Sequence, residues 1–94
     1  MTRVAVRPGD DVAALVRGAA GEAVTVLIEP GLDPIAESRV RAAIGPLAVE
    51  RAPGVRVNAV AWSQDADPAD VEAAAAFLDG ARSTTGQVIE VRAR

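Results

Sequence analysis

The sequence predicts a single α/β domain with its elements in the order βαβαβαβ, about four mainly parallel strands with helices mostly on one face. Two observations carry this. Short Val-rich runs alternate with Ala-rich stretches, and Asp-Pro pairs at Asp33-Pro34 and Asp67-Pro68 open the two longer Ala-rich stretches as cap and first helical residue. A length of 94 residues suits one domain, residues 1–94, and is too short for two.

Each element has its own signal. Arg3-Val4-Ala5-Val6-Arg7 alternates as a half-buried strand does, and Pro8-Gly9 breaks it. Asp10 or Asp11 caps a helix through Val12 to Val16, which Gly18 and Gly21 end. Val24 to Ile28 is the clearest strand, closed by Pro30-Gly31. The next helix starts at Asp33-Pro34 and carries Ile35, Val40, Ile44 and Leu47 toward one side. Gly45-Pro46 lies inside it, which predicts a kink or two short helices. Val55 to Ala61 is the third strand. Asp67-Pro68 starts a last helix, with Asp70 at the capping-box position and Gly80 as the stop. Gln87 to Arg92 is the fourth strand.

Strands in sequence order with right-handed crossovers would put all three helices on one face. That face would carry Val24, Val26, Ile28, Val57 and Ala59, together with Ile89 and Val91 of the last strand. The other face would carry Thr25, Leu27, Arg56, Asn58 and Val60 with Val88 and Glu90. This second face is mixed rather than apolar, and parallel sheets seldom leave a face in water. It, or an edge strand, is therefore the expected partner surface.

Composition excludes several chemistries. The chain has no Cys, His, Tyr or Lys, and all ten basic residues are Arg. Disulfides, thiolate nucleophiles, Schiff bases and the usual neutral-pH base are therefore ruled out. A transition-metal site would have to be built from carboxylates alone, so no metal is expected. A net charge of −3 with no basic block argues against a nucleic-acid or anionic-membrane partner. Met1 to Arg7 is too short and too charged for a signal peptide, and no apolar run reaches membrane-spanning length. A cytoplasmic location is the default expectation. The all-Arg, Ala-rich composition points to a GC-rich bacterial source.

Two stretches resemble the short-chain dehydrogenase/reductase family. Leu47-Ala48-Val49-Glu50-Arg51-Ala52-Pro53-Gly54-Val55-Arg56-Val57-Asn58-Ala59-Val60-Ala61 is similar to the end of that family's active-site helix and its next strand, "LAVELAP-GIRVNAVAPG". Asp67 to Val71, Phe77-Leu78 and Thr85 to Val91 are similar to its closing helix and strand. The resemblance implies a partial Rossmann-like sheet, like the C-terminal portion of such a protein. It also implies subunit association through the active-site helix and through the closing helix and strand.

The departures bear on function. The family binds a dinucleotide at a Gly-rich turn after its first strand. Here the first strand runs into Arg7-Pro8-Gly9-Asp10-Asp11, which sets two carboxylates where a dianion would sit, so no cofactor is expected. The family's proton donor is a Tyr with a Lys four residues later. An ungapped count puts Asp33 and Glu37 at those positions, and a gapped one puts Ile35 and Arg39 there.

Asp33 and Glu37, with Glu29, are candidate catalytic carboxylates near a strand end; the simpler reading makes Asp33 a helix cap and the others solvated. Ser83 to Thr85 reads as loop. Trp62, Arg56, Val88 and Glu90 are candidate interface residues, with Trp62 either roofing the core or anchoring a partner. Arg39, Arg41, Arg51 and Arg56 are candidates for gripping an anion, or else scattered ion-pair partners. The expected function is a non-catalytic pseudoenzyme module that forms a homo-oligomer, or docks on a full-length dehydrogenase or another pathway enzyme. The alternative is a small carboxylate-based isomerase or cyclase.

Overall fold

A computed structural model describes residues 1–94 as seven elements: β1 (Thr2–Val6), α1 (Val12–Gly18), β2 (Ala23–Ile28), α2 (Pro34–Arg51), β3 (Arg56–Trp62), α3 (Pro68–Gly80) and β4 (Val88–Val91). The sheet has four strands in the order β1-β2-β3-β4, and every neighbouring pair is parallel. The α/β class, the element order and the parallel sheet are thus as the sequence predicts.

The helix starts follow the predicted chemistry. Asp11 accepts from the amides of Ala13 and Ala14, Asp33 from those of Ile35 and Ala36, and Asp67 from that of Ala69. Each carboxylate replaces a partner that the first turn lacks. Asp70 does not complete a capping box. Its carboxylate instead receives Arg94 at 2.6 and 2.9 Å.

Helix α2 departs from expectation in two ways. It runs unbroken through Pro46. Pro46 and Ala42 both lie on the exposed side, so water can serve the Ala42 carbonyl that loses its intrahelical donor. Its buried residues are Val40, Ile44, Leu47 and Ala48, at helical spacing, while Ile35 is 67% exposed. Ile35 is five residues before Val40, which turns it well away from the inward stripe.

The two sheet faces carry different layers. Val6, Val24, Val26, Ile28, Val57, Ala59 and Ala61 pack with Val16 of α1 and the inward stripe of α2. On the opposite face Val60 packs with Ala75 and Leu78 of α3, flanked by Leu27, Trp62, Ile89 and Val91. The domain is therefore three-layered, with α1 and α2 on one face and α3 on the other. This overturns the expectation that all three helices share a face. Both β2-α2-β3 and β3-α3-β4 advance one strand in the same direction, so helices on opposite faces require connections of opposite hand.

The expected face assignment of β4 is reversed as well. Ala59 pairs with Val88 and Val60 with Ile89. Val88 and Glu90 therefore join the α2 side, while Ile89 and Val91 join the α3 side. The mixed face is not an open partner surface, because α3 lies on it.

A buried polar network holds α3 there. Asp79, in the last turn of α3, has a side chain only 3% exposed. It accepts from Thr25 Oγ1 at 3.0 Å and from Arg3 Nε and Nη2 at 3.0 and 2.8 Å. Arg3 also forks onto Glu72 at 2.7 and 3.1 Å. Arg56 donates to the carbonyls of Leu78, Asp79 and Ala81 where α3 ends, adding to the backbone amides of Ala81 and Thr84 that already reach Leu78 O and Ala81 O. Buried Asn58 then stitches the following loop to β3. Its amide donates to Thr84 O and its carbonyl accepts from Gln87 N, both at 3.0 Å.

Exposed ion pairs add further ties between elements. Arg17 of α1 grips Glu50 of α2 at 2.7 and 2.8 Å. These guanidiniums hold the carboxyls of Glu50, Asp70 and Glu72 below their ordinary values of 4.5, 3.8 and 4.5, chiefly through the hydrogen bonds from Arg17, Arg94 and Arg3. A carboxyl depressed in the folded state adds stability above its unfolded pKa and loses it as pH falls through the folded value. The melting temperature should therefore hold from neutrality to about pH 5 and fall as pH drops below about 4. The fall should be modest and weaker in high salt, because the three pairs are exposed. Thermal melts across this range at two salt concentrations test it, and a melting temperature that rises on acidification contradicts it.

Candidate functional site

In a parallel sheet with crossover helices, the loops that leave the C-terminal strand ends are free to form a site. Here β2, β3 and β4 end on a cleft of about 490 Å³, whose lining includes Glu37, Arg41, Trp62, Ser63, Glu90 and Arg92. Glu37 and Arg41 come from successive turns of α2, Trp62 and Ser63 from the end of β3, and Glu90 and Arg92 from the end of β4.

The charged groups form an alternating chain. Arg41 Nε lies 3.2 Å from Glu37 and its Nη2 lies 3.6 Å from Glu90. Arg92 Nη2 lies 3.3 Å from the other Glu90 oxygen. Glu37 is thus held in an ion pair with Arg41. Ser63 Oγ is buried without a hydrogen-bond partner, and no Lys or His exists to activate it.

The candidate residues are not brought together as the carboxylate-cluster reading requires. Glu37 lines the cleft, but Asp33 does not, and its carboxylate is occupied by the first-turn amides of α2 at 2.9 and 3.0 Å. No group of three or more His, Cys, Asp or Glu side chains is arranged to hold a metal ion. The arginines disperse as well. Arg41 lies in the cleft, Arg56 is under the end of α3, and Arg39 borders a different cleft. Of the candidate interface residues, Trp62 is half-buried against the α3 layer and edges the cleft. Val88 packs on the α2 layer, Glu90 pairs with Arg41, and Arg56 is engaged with α3.

One feature of this region was legible in part. Glu37 and Arg41, four apart on a helix, are a standard ion-pair spacing. The link onward to Glu90 depends on the phase of β4. Outside the cleft, Asp79 carries a signal of its own: an acid in the last turn of a helix opposes the helix dipole and needs a specific cationic partner.

The first turn after β1 is closed by its own carboxylates. Asp10 accepts from the amide of Arg7 at 2.9 Å, and Asp11 takes the first-turn amides of α1. No helix is long and apolar enough to cross a membrane.

No curated protein and no solved structure matches the chain. A family model does, the short chain dehydrogenase-like protein (SDR-like), over residues 5–91. That match runs from β1 to the last residue of β4, takes in the parallel sheet and all three helices, and shows that the chain belongs to the short-chain dehydrogenase-like family.

Proposed function

We propose that the chain is a non-catalytic short-chain dehydrogenase-like interaction module that self-associates through the outer face of α2. The observation that carries this is a line of exposed apolar residues. Ile35 and Val49 are 67% and 79% exposed, and exposed Ala42 lies midway between them. Residues seven apart on a helix fall close to one line along its surface. Two α2 helices packed antiparallel about a two-fold axis would set Ile35 against Val49 of the partner, with Ala42 against its own copy. The small side chain at the axis allows close approach. Absence of the Tyr and Lys used in the family's chemistry, and of any His as a general base, supports the non-catalytic part, as does the engagement of Asp33 and Glu37 in a cap and an ion pair.

Sedimentation at micromolar concentrations is expected to give a dimer. Val49→Asp should weaken self-association by at least about tenfold, equal to about 1.4 kcal/mol. It should change the melting of the protomer little, as an exposed position does. A wild-type chain that stays monomeric, or a Val49→Asp variant that associates equally well, overturns the reading. A monomer that captures a full-length dehydrogenase on the same face would replace it with the docking form.

A further inference from the structure

A second cleft, of about 320 Å³, opens beside the end of β1, between the first turns of α1 and α2. Its walls are built by local chemistry. Arg7-Pro8-Gly9-Asp10 is a turn closed at both ends: the amide of Asp10 donates to Arg7 O at 3.0 Å, and the amide of Arg7 donates to Asp10 Oδ2 at 2.9 Å. Gly9 has φ +88°, a conformation that other residues rarely adopt. This turn fixes Arg7 on one wall. The first turns of α2 fix Ala36 and Arg39 on the other. Part-buried Val12, Leu32 and Ala36 form an apolar floor.

The charge arrangement is specific. Arg7 and Arg39 are exposed, line the cleft, and form no ion pair. Asp10 and Asp11 also line it, but each carboxylate is bonded to backbone amides. Two guanidiniums without carboxylate partners favour an anion, and two nearby carboxylates disfavour a dianion. The apolar floor calls for an alkyl group. At roughly 30 Å³ for each water-sized group, the cleft takes about ten heavy atoms.

We infer that this cleft binds a small amphiphilic monocarboxylate, with its alkyl chain along Val12, Leu32 and Ala36 and its carboxylate between Arg7 and Arg39. Of its residues Arg39 borders the outer line of α2, four after Ile35 and three before Ala42, and none belongs to that line.

Sodium octanoate titrated into the full chain, followed by amide chemical shifts, tests this. Saturable shifts are expected at Gly9 to Val12, Leu32 and Ala36 to Val40. Inorganic phosphate at the same concentration should leave these amides unmoved. Octanol should bind at least about tenfold more weakly, for want of charge-assisted hydrogen bonds. Arg7→Gln with Arg39→Gln should weaken octanoate by about tenfold or more and leave octanol unchanged. Because both side chains are exposed, melting should be nearly unchanged in this variant. Ala36→Leu, which fills the floor, should weaken both ligands. The absence of saturable shifts at low millimolar octanoate, an equal response to phosphate, or octanoate binding untouched by the double arginine variant would each overturn the assignment.

Discussion

Asp79→Ala is expected to destabilise the domain by about 3 kcal/mol, because removing one partner of a buried charge pair strands the other. The side chain is 3% exposed, and its loss leaves Thr25 Oγ1 without an acceptor and Arg3 without one of its two carboxylates. Arg3 keeps about a third of its side chain in water and retains Glu72, which holds the cost below the top of the range. At roughly 4–8 °C per kcal/mol for a domain of this size, the melting temperature should fall by about 12–24 °C. Asp79→Asn keeps an acceptor for Thr25 and should cost less. Urea unfolding monitored by circular dichroism measures both variants. If Asp79→Ala melts within a few degrees of the parent, the network does not hold α3 on its face.

The second large effect is expected at Asn58. Asn58→Ala removes the amide that bonds Thr84 O and the carbonyl that bonds Gln87 N. These groups lie in the loop from α3 to β4, which β3 also holds through Gly86 N to Val57 O, Ala59 N to Gln87 O and Val57 N to Thr85 Oγ1, at 2.7, 2.8 and 3.1 Å. A buried backbone group left unpaired costs about 1–3 kcal/mol, so the change should cost about 2 kcal/mol and roughly 8–16 °C in melting temperature. Hydrogen exchange gives the discriminating readout. The Gln87 amide should exchange faster, and the amides of β4 with it, while those of β1 and β2 stay protected. Uniform loss of protection would instead make Asn58 a general core residue rather than the fastener of the last strand.

These two residues separate what was readable in advance from what was not. Asn58 lies in the stretch Arg56-Val57-Asn58-Ala59-Val60 that carries the family resemblance, so its importance was legible, though not its bonding partners. Asp79 stood in no motif. Its partners Thr25 and Arg3 are 54 and 76 residues away along the chain, and no local pattern relates them. Within the candidate site the same division holds. The Glu37–Arg41 pair follows from spacing along one helix. Their junction with Glu90 and Arg92 needs the register of β4 against β3, which puts Glu90 opposite Ala61. The strand Val88–Val91 has apolar residues at three of its four positions, Val88, Ile89 and Val91, so alternation alone cannot say which side faces α2.

What the sequence by itself determined is the chemistry along the chain. Aspartates before prolines start α2 and α3, Val-rich runs form strands, the order βαβαβαβ makes the sheet parallel, and the chain holds no Tyr or Lys to stand as the family's proton-donor pair. These depend on near neighbours, whose steric and hydrogen-bonding preferences act wherever the chain goes. Only the tertiary structure decided that α3 crosses to the opposite face, that the mixed sheet face is covered, and that Ile35 and Val49 remain outside. The general preference of crossovers for one hand predicted otherwise for α3. It is overridden here because the second face offers Leu27, Val60, Ile89 and Val91 for burial, and because Arg3 and Thr25 compensate a carboxylate that the end of a helix would otherwise repel.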